Sequence, residues 1–281
     1  MFISTLAFAL ANVFVKQISH IPAMEVVFFR CTIATVFCFA GIHRAKADWR
    51  GSNRIMLLLR GLFGTTALYL FFTTLQNIPL ASAMTIQYLS PIFTSIIAIL
   101  VLSEKVRSLQ WLFYAIAFSG VLLIERFDTR VSMFYLVIGI ISAFCSGVAY
   151  NLVRNMRGKE HPLTVVLHFQ LVGSIIGLIS LFFEWRMPTG WDWLWLFLIG
   201  LFSQVGQIFL TRALQKEAVA GIAIINYSGL IYGLLIGSLV FGEIQTTESL
   251  SGMLLVVFGV LLSVVYSRRM RDIEKIESTV A

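Results

Sequence analysis

The sequence predicts an all-α integral membrane protein of ten transmembrane helices, arranged as two inverted five-helix repeats. Three observations carry this: the chain is too apolar for water, ten apolar stretches fill it, and its second half repeats sparse polar landmarks of the first. Of 281 residues, 58% are hydrophobic and 12% charged, with a mean hydropathy of +0.88. A soluble globular protein carries roughly 25% charged residues, so the apolar surface left over here must face lipid. At about 20 residues per crossing, the length accommodates ten helices and leaves no room for a sizeable soluble domain.

The apolar stretches lie at 2–16, 22–43, 54–75, 79–102, 107–125, 131–153, 162–183, 191–211, 219–241 and 249–267. Most are apolar all round, as lipid-embedded helices are. None shows the ten-residue alternation of a membrane barrel strand. The first run ends at Lys16, short for a span: either that helix tilts into a thinned region, or further residues precede Met1, which is the favoured reading. Met1-Phe2-Ile3 has no basic n-region and does not read as a cleaved signal. Residues 268–281 form a charged tail, expected to be a solvated helix or disordered.

Basic residues set the expected orientation. The loops on the side of the N-terminus, with the tail, hold fifteen: Arg44, Lys46, Arg50, Arg54, Lys105, Arg107, Arg154, Arg157, Lys159, Arg212, Lys216, Arg268, Arg269, Arg271 and Lys275. The other side holds four: Lys16, Arg126, Arg130 and Arg186. Because Lys and Arg gather on the cytoplasmic side, both termini are expected there, in the inner membrane if the source is bacterial. The same bias accounts for the formal charge of +7 without invoking nucleic acid. The cysteines, Cys31, Cys38 and Cys145, sit within apolar stretches and form no CxxC pair. They read as packing residues, with no disulfide, metal or cofactor implied.

Sliding the chain on itself by 139 residues, without a gap, aligns Asn12 with Asn151, Gly61 with Gly200, and Leu75-Gln76 with Leu214-Gln215. It also aligns Ala81 with Ala220, Tyr88 with Tyr227, Glu104 with Glu243, and Gly120-Val121-Leu122-Leu123 with Gly259-Val260-Leu261-Leu262. The Asn, Gln, Tyr and Glu matches carry weight because such residues are sparse in an apolar chain. Five spans per copy, over 1–125 and 131–267, force the second copy through the membrane in the opposite sense. Inverted repeats recur in secondary transporters, with substrate bound near the midplane.

The chain resembles the drug/metabolite transporter superfamily, specifically the EamA-type ten-helix carriers. The likeness is carried by Ala11-Asn12-Val13-Phe14-Val15-Lys16, by Pro22 through Glu25 to Phe29-Arg30, by Ser90-Pro91-Ile92-Phe93, by Leu102-Ser103-Glu104-Lys105 and by Phe241-Gly242-Glu243. It covers essentially the whole chain. A tryptophan common near the end of the family's first helix is absent, with Ala11 nearest, and Leu230 replaces the second-half proline. The Pro22-to-Arg30 stretch looks like the branch containing riboflavin and S-adenosylmethionine carriers. The resemblance implies a secondary transporter moving a small polar or amphipathic metabolite by alternating access, as a monomer or homodimer in the lipid bilayer.

Several polar residues inside spans are candidates for contact with that substrate. Arg30 lies about eight residues into the second span, where an ionised group is costly and must face a cavity or a partner. It would either pair with an anionic group or pin the fold through carbonyls and hydroxyls. His168 and Gln170 share the seventh span, and a lone intramembrane His is either a proton carrier or a bonded packing residue. Gln204 and Gln207, one turn apart, would line a cavity or hydrogen-bond between helices. Gln87-Tyr88 and Asn226-Tyr227 occupy equivalent places in the two repeats, as residues of a site on a pseudo-two-fold axis should. Asn12 and Asn151 are paired likewise, with Tyr150 beside the latter. Gly229, Gly233 and Gly237, and also Gly173 and Gly177, form small-residue stripes for close helix packing. Glu104 and Glu243, at helix ends, read as hydrated structural residues, and Arg60 as an interfacial residue that snorkels.

No HExxH, GxSxG or Walker A pattern is present, so neither a zincin nor an ATP-driven pump is expected. No Asp or Glu lies at the centre of a span, which leaves exchange or facilitated diffusion as open as proton coupling. An intramembrane enzyme and a non-transporting structural subunit are the rival classes. The first would need a clustered nucleophile or metal constellation, and the second would have no polar cavity.

Overall fold

The computed structural model describes residues 1–102, 108–216 and 228–280. Glu104, Lys105, Arg107, Asn226 and Tyr227 therefore lie outside the described residues. The described chain is helical: α1 (Phe2–Gln17), α2 (Ala23–Ala45), α3 (Arg54–Asn77), α4 (Leu80–Gln87), α5 (Ser90–Leu102), α6 (Ser108–Phe127), α7 (Met133–Asn155), α8 (Pro162–Ser180), α9 (Asp192–Lys216), α10 (Ser228–Phe241) and α11 (Thr247–Val280). With α4 and α5 taken as one span, Leu80–Ala98, eight spans among the described residues are long and apolar enough to cross a bilayer, while α1 and α10 are shorter apolar helices. The helix α11 runs on through the charged tail.

Helix starts follow the local chemistry. The Asn53 side chain accepts from the Met56 N–H at the start of α3, and the His161 ring accepts from the Leu163 N–H ahead of α8, whose first residue is Pro162. Each fills one of the donors that a helix N-terminus leaves open. The fourth span is one apolar run in the sequence but two helices in space. Pro91 has no N–H to give the Gln87 carbonyl. The chain turns tightly there, with Tyr88 N–H bonding the Thr85 carbonyl and Leu89 N–H the Ile86 carbonyl, each at 3.0 Å.

The inverted repeat is visible as contacts that map onto each other by the same 139 residues. A methyl added at Gly61 would lie 2.6 Å from Val172, and one added at Gly200 would lie 2.7 Å from Ile33; residues 33 and 172 are equivalents, with the halves exchanged. Likewise Gly120 meets the backbone of Gly252 and Val256, and Gly259 meets that of Phe113 and Ala117. Within each repeat, Gln76 Nε2 donates to the Ile21 carbonyl at 3.0 Å and Gln215 Nε2 to the Glu160 carbonyl at 3.3 Å. The packing follows suit: α1 lies on α9 and α3 on α7, α2 packs on α8, and α6 pairs with α11.

Loops on the side of the N-terminus are tied across the repeats. Glu160, between α7 and α8, accepts at 2.7 Å from each of the Ser52 N–H, the Ser52 hydroxyl and the Asn53 N–H in the α2–α3 loop. Burial pushes its carboxyl up, but the hydrogen bonds from Ser52 and Asn53 outweigh this and hold it below the usual glutamate range. A depressed carboxyl stabilises the fold above the unfolded value of about 4.3. That contribution is lost as pH falls through the lower folded value. Glu160→Gln is therefore expected to lower the unfolding midpoint in detergent at neutral pH and to flatten its decline in acid. Parallel acid limbs for the two proteins would show that the latch carries no such linkage.

Candidate functional site

A cavity of about 170 Å³ opens between the repeats. Most of its wall is aromatic or aliphatic, including Phe8, Phe71, Phe72, Met84 and Leu210, and polar groups appear at a few positions. No aspartate or glutamate is among the described residues that line it.

Two arginines reach this space from opposite depths. Arg30 lies seven residues past Ala23 in α2, about 10 Å in from the face opposite the N-terminus at 1.5 Å per residue. Arg60 lies six residues past Arg54 in α3, about 9 Å in from the N-terminal face. Both are buried, at 2% and 3% exposure. Both guanidinium groups lie over the Phe169 ring of α8, Arg60 at 4.3 Å and Arg30 at 5.6 Å from its centre. Arg30 and Phe169 are equivalents in the 139-residue register, so the ring occupies in one repeat the place the arginine holds in the other.

The local sequence builds this arrangement. Gly173 of α8 receives the Cys31 thiol and Gly177 receives Phe28, so α2 approaches closely and Arg30 lies beside the contact. Gly64, one turn beyond Arg60, lies under the Arg60 Nη1 and 2.9 Å from Phe169 on adding a methyl; it is the seat for both groups. The Arg30 Nη1 donates only a long 3.9 Å bond to Cys31 Sγ. Arg30 Nε and the Arg60 Nε and Nη1 are buried without a hydrogen-bond acceptor. Arg60 is thus no interfacial snorkeller. Its side chain folds inward over Gly64 because no bulky neighbour blocks that path.

Gln87, Tyr88 and Gln207 also line the cavity, together with Asn12 and Tyr150. Gln87 is held by Ser146, to which its Nε2 donates at 2.7 Å, and by Ser142, from which its Oε1 accepts at 3.1 Å. The break at Pro91 turns Tyr88, Ser90 and Pro91 itself toward the same space. Asn151, His168 and Gln204 do not line it. On α9 the inward stripe is Ser203, Gln207, Leu210 and Leu214, and Gln204 points off it toward Gln170, whose Nε2 donates to it at 3.3 Å. Asn151 Nδ2 donates to the Thr94 carbonyl of α5 at 2.8 Å and to that of Gly147 at 3.1 Å, which fastens α7 to the broken span. His168 Nδ1 bonds the Thr164 carbonyl of its own helix at 2.9 Å.

The end of the cavity away from the N-terminus lies under a charged bridge. Gly229, Gly233 and Gly237 of α10 stack against Tyr88, at the end of α4, and against Met84 and Leu80 within it, a ladder with one rung per turn. At its top, Glu243 accepts from the Leu80 N–H at 2.8 Å and pairs with Lys16 at 2.5 Å. Lys16 also donates to the Ile78 carbonyl at 2.6 Å. The expected hydrated glutamate is instead largely buried, its side chain 12% exposed, because it caps α4 and neutralises Lys16 together.

The profile of the EamA-like transporter family matches residues 1–126 and again residues 133–265. The pseudopaline exporter CntI of Pseudomonas aeruginosa is 28% identical over 258 residues, covering 91% of each chain. Human solute carrier family 35 member G1 is 29% identical over 275 residues, covering 91% of this chain and 75% of that one. A crystal structure at 15% identity has the same fold, with a TM-score of 0.68 over 95% of this chain and 98% of that one. The chain belongs to the EamA-like transporter family. It is a multi-pass membrane transporter of a small-molecule substrate, with the ten-helix fold of the drug/metabolite transporters.

Proposed function

We propose that this protein is a secondary transporter that carries a small metabolite bearing an anionic group across the membrane by alternating access, without an enzymatic step. The observation that carries this reading is the cavity between the repeats. It holds the buried Arg30, whose Nε has no acceptor, and no carboxylate among its described lining residues. An ionised side chain inside a membrane span costs about 2.5–3.5 kcal/mol on insertion scales, and an anionic occupant offsets that cost. Two similar halves, 1–125 and 131–267, allow two states of similar energy that expose the cavity to either face. One chain supplies the cavity, so the unit of transport is the single chain, whether it stands alone or in a homodimer. The basic loops favour cytoplasmic termini with the tail 268–281, in the plasma membrane (the inner membrane of a bacterium), and a role other than nucleic-acid binding.

Reconstituted vesicles loaded with unlabelled amino acids, organic acids or nucleotides and supplied with a labelled tracer of each will identify the class by counterflow. Arg30→Gln is expected to slow the active tracer about tenfold or more, as loss of a buried charge contact does. Undiminished counterflow in that variant would return Arg30 to a purely structural role.

A further inference from the structure

Two arginines face the cavity where a singly charged metabolite requires only one. Each guanidinium offers five N–H donors in a fixed fork. Arg30 Nε and Arg60 Nε and Nη1 are buried with no acceptor, and both groups rest over one aromatic ring, Phe169. The ring's negative face partly offsets two cations but accepts none of their in-plane hydrogen bonds. Two like charges in a membrane interior repel, and neither the Cys31 thiol beside Arg30 nor the Tyr150 phenol in the cavity wall carries a charge in its ordinary state. A carboxylate could have neutralised one arginine; the described lining residues hold none. An occupant with two negative charges and several acceptor oxygens would match both groups.

We propose that Arg30 and Arg60 form one two-charge clamp, with Phe169 as its floor, for a dianionic ligand. A phosphate monoester or a dicarboxylate has the required chemistry, since either presents acceptor oxygens to two guanidinium forks at once. The apolar wall contributed by residues such as Phe71 and Phe72 takes the body of the ligand. The assignment rests on the cavity being the transport site, and it adds Arg60 to the binding machinery.

The test uses detergent-purified protein and three probes with one shared ring: phenyl phosphate, phthalate and benzoate. At pH about 7.5 the first two are dianions and the third a monoanion. Dissociation constants come from thermal shift at fixed ionic strength. At least one dianion is expected to bind about tenfold tighter than benzoate. Arg30→Gln and Arg60→Gln should each bring it down to the level of benzoate, because a truncated clamp keeps one charge. Tight binding of phenyl phosphate alone assigns a phosphoryl ligand, and of phthalate alone a dicarboxylate. Equal affinity for dianions and benzoate, no binding of either dianion at millimolar concentration, or full dianion affinity in Arg60→Gln overturns the clamp. The wild-type comparison decides even where a variant fails to fold. Dianion binding in a protein inert in counterflow would overturn the transport reading and leave the clamp standing.

Discussion

Replacing Gly120 with alanine should cost the protein about 3 kcal/mol or more, the upper end for overpacking a tight core. A methyl at this position would lie 2.5 Å from the Gly252 carbonyl oxygen and 2.8 Å from the Val256 nitrogen. Those are backbone atoms of a helix, and no rotamer change removes them. The two helices would have to separate along their whole crossing, α6 from α11. Gly259→Ala should be similarly damaging, since its added methyl would meet the Ala117 nitrogen and the Phe113 carbonyl, each at 2.7 Å, through the same contact with the halves exchanged. In membranes such small-residue crossings supply packing that hydrophobic burial cannot, because lipid is as apolar as the helix. The unfolding midpoint in detergent reads the effect, with Ser119→Ala, next to Gly120 but exposed, as the control. A Gly120→Ala protein as stable as that control would show that the backbones do not meet.

Much of this architecture is legible in the chain because depth along a helix is a matter of counting. The 139-residue register aligned Gln76 with Gln215, and in space both make the same bond to their own repeat. Arg30 stands out because an arginine deep in an apolar run has few explanations. Rotation about the helix axis is less legible. A helix that is apolar all round offers no contrast between core and lipid faces, and one residue turns a side chain by about 100°. That is why Gln207 lines the cavity while Gln204, sharing much of its face, meets Gln170, and why Tyr150 faces inward while Asn151 holds α5. Arg60 was hidden for a different reason. Six residues from a helix start, it is equally placed to reach the interface or the interior, and Gly64, which opens the inward path, is one small residue among many.

Replacing Glu243 with glutamine should open the cavity toward the face away from the N-terminus. Lys16 and Glu243 are 14% and 12% exposed in their side chains, so the pair is mostly out of water. Removing one partner of a buried pair typically costs about 3–5 kcal/mol, chiefly by stranding the other charge. Here the cost falls on one conformation. The bridge joins α1, the start of α4 and the end of α10, and only a state in which these three meet can form it. A state that parts them hydrates Lys16 and pays nothing for the lost partner. The substitution therefore shifts the population toward that state, tenfold for each 1.4 kcal/mol lost from the closed one. A cysteine at Met84, which lines the cavity one turn below Leu80, reports the shift through its labelling by a membrane-impermeant maleimide. The native Cys31, Cys38 and Cys145 are buried and give a low background. Labelling from that face should rise at least tenfold in Glu243→Gln and recover when Lys16→Met is added, since the doubly neutral pair strands no charge. A variant that loses stability while Met84→Cys stays protected would make the bridge a structural tie alone.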